Sequence, residues 1–173
     1  MKKIIIYGSY YGTTKSYAEK LSDMTGLPVI NYKDIKELNT YDEVIHLGGL
    51  YAGGVKGLKN TIKLLPERAN LIFVTVGLGD VTQKVNTDNI KKSIYKQVTK
   101  SVLDRTKIVH LRGGIDYGQL SFIHKTMMSM VYKKAKNTPE EQITEEDRAL
   151  IETYGQNVDF TDFDTLQKVI EVI

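Results

Sequence analysis

Apolar residues follow two alternating patterns along this chain. Five short runs rich in β-branched residues predict strands at 3–7, 29–32, 43–47, 70–76 and 107–111. Between and after them, apolar residues recur at spacings of three and four, which is typical of helices. This spacing predicts helices at 14–25, 35–38, 58–65, 90–102, 120–136, 145–153 and 164–173.

The order of these segments indicates the fold class. Strands that are apolar throughout are covered on both faces, so the alternation favours a parallel sheet between two layers of helices. Right-handed crossovers leave few topologies for such a sheet. We therefore predict one α/β domain spanning residues 1–173, built as a three-layer α/β/α sandwich.

The loop after the first strand is rich in hydroxyl groups. In an open α/β sheet, ligands bind beyond the carboxyl ends of the strands. The residues of this loop are Ser9, Tyr10, Tyr11, Gly12, Thr13 and Thr14, and they run directly into a predicted helix. Hydroxyl donors at a helix N-terminus suit a phosphate monoester. The alternative interpretation is an ordinary turn with a Ser or Thr helix cap.

Two further loops lie at the same predicted edge. After the third strand, Gly48-Gly49 leads into Leu50, Tyr51, Ala52, Gly53 and Gly54. After the fourth strand come Gly77, Leu78, Gly79 and Asp80. Glycines allow a flat ring to approach the backbone, and Tyr51 is predicted to stack on such a ring. The alternatives are a flexible turn and a glycine turn with Asp80 as a helix cap.

Composition excludes several kinds of site. The chain contains no cysteine, so it has neither a disulfide nor a thiolate metal site. Its three histidines show no metal-ligand spacing, and we predict no metal and no catalytic residue. A net charge of +3 is too small to indicate nucleic acid. No segment approaches the length of a membrane span, and we expect a cytoplasmic protein.

The first loop resembles the phosphate signature of the flavodoxins, [ST]-x-T-G-x-T. The motif is present as Ser9-Tyr10-Tyr11-Gly12-Thr13-Thr14, with Tyr11 where threonine is usual. The resemblance implies a five-stranded parallel sheet in the order 2-1-3-4-5 and flavin mononucleotide (FMN) as the cofactor. It assigns residues 9–14 to the phosphate, and 50–52 with 77–80 to the flavin ring. Residues 113–117 and 124–128 are similar to the flavodoxin-like, menaquinone-linked protoporphyrinogen oxidases.

Three functions remain open on the sequence. The first is an FMN electron carrier that serves redox partner proteins. The second is an FMN enzyme acting on a quinone or tetrapyrrole, with Asp116 and Tyr117 near the flavin rim restricting access. For these two residues the alternative is that they only seal the core. The third function is a nucleotide-binding α/β domain without flavin.

The predicted helix 120–136 has two interpretations. Its apolar stripe consists of Leu120, Ile123, Met127, Met128, Val131 and Ala135, with lysines around the other side. The simpler interpretation is a helix packed on the core with a solvated basic face. The other is an interfacial helix that meets anionic lipid at the membrane periphery.

Overall fold

The computed structural model describes residues 1–51 and 54–173, apart from the side chains of Tyr51, Glu145 and Glu146. The strands within these residues are β1 (Lys3–Gly8), β2 (Val29–Asn31), β3 (Glu43–Tyr51), β4 (Gly54–Val55), β5 (Asn70–Gly77), β6 (Thr106–Arg112), β7 (Gly114–Asp116) and β8 (Asn157–Asp159). The helices are α1 (Thr13–Thr25), α2 (Leu58–Leu64), α3 (Lys84–Tyr95), α4 (Lys100–Leu103), α5 (Phe122–Lys136), α6 (Glu145–Thr153) and α7 (Gln167–Ile170). A 3₁₀ turn, Phe163–Leu166, precedes α7.

The main sheet is parallel, with the strand order β2-β1-β3-β5-β6. β5 and β6 are the fourth and fifth parallel strands along the chain, so the predicted order 2-1-3-4-5 is confirmed. β4 pairs antiparallel with the end of β3. The order reverses between β1 and β3, where Gly8 pairs with Gly48. The carboxyl ends of β1, β3, β5 and β6 therefore surround a topological switch point.

Helices cover both faces of the sheet. On one face, Tyr17 and Leu21 of α1 and Val169 of α7 pack on fully buried Ile5, Ile45 and Ile72. On the other face, Leu58 of α2 and Ile90 and Ile94 of α3 pack on Ile6 and Phe73. Full burial of each large apolar side chain contributes about 1.5–3 kcal/mol. The sheet is thereby held rigid beneath the loops at its carboxyl edge.

A helical unit stands over this edge between β6 and the C-terminal segment. β7 and β8 pair antiparallel, with Ile115 opposite Val158. α5 and α6 rise from this ribbon and pack through a cluster of buried residues, Leu120, Met128, Ala135 and Leu150. We call residues 122–153, which comprise α5, α6 and their connection, the helical cap.

Three predicted helices differ from the structure. Residues 35–38 are irregular, because Leu38 is a buried anchor within a segment too short to nucleate a helix. The predicted helix 90–102 is interrupted after Tyr95 and resumes at Lys100. Both pieces lie on one face, which preserves the spacing of buried residues. The predicted helix 164–173 is a 3₁₀ turn followed by α7.

The structure also differs from the predicted end of the third strand and from the predicted apolar stripe of α5. β3 continues to Tyr51 instead of ending at residue 47. Gly48 lies within this strand and not in a turn. A Cβ atom at this position would lie 2.2 Å from Val55 Cγ1, so glycine is needed there for the close packing of β3 against β4. In α5, Met128 and Ala135 are buried as predicted, but Ile123 points away from the core and is exposed.

Candidate functional site

A cleft of about 720 Å³ opens at the switch point, between the carboxyl edge of the sheet and the helical cap. Its size falls within the range of small-molecule sites. Its walls come from Ser9, Tyr10, Tyr11, Thr13, Thr14, Gly49, Leu50, Val76, Gly77, Leu78, Asn89, Ile90, Ser93, Gly113, Gly114, Ile115, Met128, Val131, Lys134, Thr138, Gln142, Asp147 and Leu150. The cleft therefore combines the three predicted loops with α3 and the cap.

The first loop ends in a helix whose first turn receives no side-chain cap. Gly12 is the N-cap of α1, with φ at 104°, a conformation that a residue with a side chain rarely adopts. Ser9 Oγ accepts a hydrogen bond from Gly12 N–H at 3.1 Å and so shapes the loop itself. The remaining N–H groups of the first turn carry the positive end of the helix dipole. This helix end is suited to an anion.

Glycines at the floor of the cleft allow the strands to pack closely. A Cβ on Gly8 would lie 2.1 Å from the carbonyl oxygen of Lys56, and one on Gly49 would lie 3.1 Å from Thr14 Oγ1. Thr14 is consequently buried, with its hydroxyl against β3. The loop glycines thus bring hydroxyls and backbone into a confined space next to the start of α1.

His46 anchors the segment that covers Gly8. The ring is fully buried, and burial lowers its pKa to about 4, so the imidazole is neutral near pH 7. Nε2 lies 3.0 Å from the carbonyl oxygen of Lys56, and Nδ1 lies 2.8 Å from Thr61 Oγ1. The neutral ring therefore donates from Nε2 to the carbonyl and accepts from the threonine hydroxyl at Nδ1. Both ring nitrogens are satisfied in this tautomer.

Leu50 and Leu78 form an apolar part of the cleft wall. A Cβ on Gly77 would lie 2.8 Å from Leu50 Cδ1, so glycine is needed for Leu50 to pack there. Arg112 Nε donates to the carbonyl oxygen of Leu78 at 3.1 Å. Its guanidinium also stacks over Phe160, 3.8 Å from the ring centroid. Arg112 thereby fixes the backbone of the loop after β5.

Several predicted site residues lie away from the cleft lining. Asp80 accepts hydrogen bonds from the backbone N–H and hydroxyl of Thr82 at 2.9 and 2.7 Å, and it does not cap α3, which begins at Lys84. Gly79 packs near Asn86. Gly54 lines a smaller cavity of about 300 Å³ instead.

Part of the second predicted loop is not described by the structure. Ala52 and Gly53 lie outside the described residues, and the same holds for the side chain of Tyr51. The stacking of Tyr51 on a bound ring stays a prediction.

Tyr11, which replaces the usual threonine, is directed toward the cap. Its hydroxyl is hydrogen-bonded to His124 Nδ1 and accepts from the N–H of Ser121 at 3.4 Å. Tyr10 meets the same histidine edge-on, with ring centroids 4.8 Å apart. Lys56 Nζ lies 3.5 Å from the centroid of the Tyr10 ring. The two tyrosines therefore join the first loop to the start of α5.

The contribution of the cap to the cleft is not predicted by the sequence pattern. Met128 and Val131 belong to the predicted apolar stripe of α5, but nothing in the stripe shows that it faces a cleft. Ile115 lines the cleft, whereas Asp116 and Tyr117 do not. Tyr117 packs against Tyr154 instead, with centroids 5.2 Å apart. Tyr117 thus packs within the cap, whereas Asp116 accepts hydrogen bonds from Gly118 N–H and Gln119 Nε2 at 2.8 and 2.9 Å. The position of these two residues relative to a bound flavin stays a prediction.

Among the described residues, no group of His, Cys, Asp or Glu side chains is arranged to hold a metal ion. A helix long and apolar enough to cross a membrane is likewise absent from this part of the chain.

The fold and cleft define a class of protein: an open parallel α/β domain with a cleft at its β1/β3 switch point. Residues 4–142 match the family model of the flavodoxin domain. Because this match spans more than half of the chain, the protein belongs to the flavodoxin domain family. The sheet order predicted from the signature and the family assignment therefore agree.

Solved structures with related folds share little sequence with this chain. A flavoprotein of Lactobacillus acidophilus in complex with FMN is 15% identical, covering 64% of this chain and 91% of that chain, with a TM-score of 0.45. A mutant flavodoxin of Pseudomonas aeruginosa is 17% identical, covering 79% and 97%, with a TM-score of 0.41. Flavodoxin 2 of Bacillus cereus is 12% identical, covering 89% and 100%, with a TM-score of 0.38. No curated protein sequence matches the chain.

Proposed function

We propose that this protein binds FMN in the switch-point cleft and is a flavin-dependent oxidoreductase for an apolar substrate held beneath the cap. The proposal rests on the composition of the two ends of the cleft. One end presents the uncapped first turn of α1, and apolar side chains from the loops and the cap line the rest.

The phosphate end fits a terminal phosphate. Gly12 is not itself part of the cleft lining but lies between Tyr11 and Thr13, which are, and an ideal Cβ on it would meet no protein atom within 4 Å. Ser9 and Thr13 line the same end, next to the first-turn N–H groups. The dipole of α1 and the N–H and hydroxyl donors at this end together favour the binding of a dianion. These residues would hold the FMN phosphate.

The adjoining wall fits a flat ring. Leu50 and Leu78 supply apolar surface, and Gly77 brings backbone close to it. Bound FMN supplies one- and two-electron transfer. The protein would orient the ring and limit the access of water, and no side-chain acid or base is assigned to the reaction.

The cap favours an enzyme over an open electron carrier. A carrier exposes the edge of its flavin to partner proteins, whereas here Met128, Val131 and Leu150 extend the cleft as an apolar wall. Lys134, Asn89 and Ser93 add polar groups around it. Such a wall suits an apolar ring compound with polar substituents, and a quinone or a tetrapyrrole is of this kind.

The cofactor proposal is tested by titrating the apoprotein with FMN and with riboflavin, following flavin fluorescence. We expect FMN to bind at least tenfold more tightly, because each hydrogen bond to a charged group contributes about 1.5–3 kcal/mol. Gly12→Val should abolish most of this preference. Gly155→Val is the matched control, since Gly155 also has a positive φ of 80° and open space around it but lies away from the cleft. Equal affinity for the two flavins would contradict the proposal.

The enzyme proposal is tested on the FMN-loaded protein in two assays, a soluble menaquinone analogue with NADH as the electron donor, and protoporphyrinogen with the same analogue as the electron acceptor. Val131→Trp would fill the cleft beneath the cap, so we expect KM for the substrate to rise with FMN affinity unchanged. Val85→Trp places the same bulk on the exposed side of α3 as a control. Turnover of neither compound, together with rapid electron exchange with a redox protein, would favour the carrier.

A further inference from the structure

The outer face of α5 exposes large apolar side chains that no part of the described structure covers. Phe122 is 85% exposed, Ile123 69% and Met130 62%. On a helix these three positions lie on one side, opposite buried Met128 and Ala135. Exposed apolar side chains grouped in this way, unlike scattered ones, mark an interaction surface.

Helix α5 is also strongly basic. Residues 117–139 contain four lysines and no acidic residue. Lys125, Lys133, Lys134 and Lys136 are all exposed, and within the described part of the chain none of them forms an ion pair. Elsewhere lysines do pair along a helix, as Lys15 does with Glu19 and Lys84 with Asp88. Among the described side chains, no carboxylate thus offsets the positive charge of α5.

We propose that this face, comprising Phe122, Ile123, Met130, Lys125, Lys133 and Lys136 and here called the α5 surface, docks on an anionic phospholipid membrane. Apolar side chains interleaved with lysines are suited to an interface that is negative at the headgroups and apolar just below them. An acidic protein would satisfy the lysines but would leave Phe122 and Ile123 in contact with polar groups. The combination therefore favours lipid.

The position of the α5 surface relates it to the cleft. Ser121 caps α5 beside Phe122, and Tyr11 is bonded to His124 in the same turn. Tyr10, which lines the cleft and is 43% exposed, contacts the same histidine. Docking through the start of α5 would therefore place this side of the cleft near the lipid. An apolar substrate dissolved in the bilayer would then have a short route into the cleft.

The test uses the full chain and vesicles of phosphatidylcholine, alone or mixed with an equal part of phosphatidylglycerol. We expect sedimentation with the mixed vesicles only, weakening as salt is raised. Each lysine near such a surface favours binding about fivefold, so Lys125→Gln with Lys133→Gln should lower the partition coefficient about 25-fold. Lys20→Gln with Lys36→Gln removes two exposed lysines elsewhere and should have little effect.

A second measurement distinguishes insertion from simple adsorption. The chain has no tryptophan, so Phe122→Trp introduces a single reporter. We expect its emission to shift to the blue on mixed vesicles and to be quenched by lipids brominated in the acyl chains. Val85→Trp, on the exposed side of α3, should show neither effect.

Two outcomes would overturn the proposal. One is the absence of binding to mixed vesicles, and the other is unchanged binding by the double lysine variant of α5. Binding without bromine quenching would also refute insertion, because it would reduce the contact to adsorption by charge alone. None of these results depends on FMN, so they are distinguishable from a failure of the flavin proposal.

Discussion

Protonation of His46 should make this fold sensitive to acid. The pKa of the buried ring is lowered from 6.5 to about 4 by desolvation. In the unfolded chain the same ring takes up a proton near pH 6.5. Between these two pKa values the unfolded state binds more protons than the folded state. The contribution of neutral His46 to the free energy of unfolding is therefore fully present above pH 6.5 and is lost as the pH falls toward 4.

The size of the effect follows from the two pKa values. The complete shift corresponds to about 3 kcal/mol at 1.36 kcal/mol per pH unit, and from pH 7 to pH 5 the loss is about 2 kcal/mol. The proton at Nδ1 would also displace the hydrogen bond that the ring accepts from Thr61. The Lys56 carbonyl, which His46 holds over Gly8, would then lose its anchor.

The assay is urea unfolding at pH 7 and at pH 5, followed by far-ultraviolet circular dichroism. His46→Gln should be less stable than wild type at pH 7, because two buried hydrogen bonds change. The free energy of unfolding that this variant loses between pH 7 and pH 5 should nevertheless be smaller than the loss in wild type by about 2 kcal/mol. His110→Gln is the matched comparison. The pKa of His110 is also lowered to about 4, but its ring is partly exposed, so its contribution should be smaller. Equal pH dependence in wild type and His46→Gln would refute the reasoning.

Three further predictions concern packing around the cleft. Gly8→Ala should lower the free energy of unfolding by about 1–3 kcal/mol, because its Cβ would meet the Lys56 carbonyl, whereas Gly79→Ala should change it little. Tyr11→Phe should lower the free energy of unfolding by about 1 kcal/mol in urea, because it removes the hydrogen bond between the Tyr11 hydroxyl and His124. The affinity for FMN should stay unchanged. A large loss of affinity would instead place the Tyr11 hydroxyl on the phosphate. Thr144→Ala should cost about 1 kcal/mol by removing the capping box of α6, while Thr99→Ala, whose side chain makes no cap, is the control in the same thermal unfolding measurement.

The apolar pattern was sufficient to predict the parallel sheet. Strands such as β5 are buried on both faces, so their residues are apolar without alternation, and this signal depends little on the rest of the chain. The first loop was equally visible, because its hydroxyl residues and Gly12 are consecutive, from Ser9 to Thr14, and run directly into α1. Short-range patterns of this kind can be recognised in a sequence.

The helical cap and its two faces were decided only by the tertiary structure. The period of α5 shows that it has an apolar side, but Met128 facing the cleft and Ile123 facing outward depend on where β7 and β8 place the helix. In the same way, the direction of Tyr11 depends on His124, which lies 113 residues away in the chain. Sequence periodicity fixes which residues share a helix face, whereas the contacts of that face depend on long-range packing.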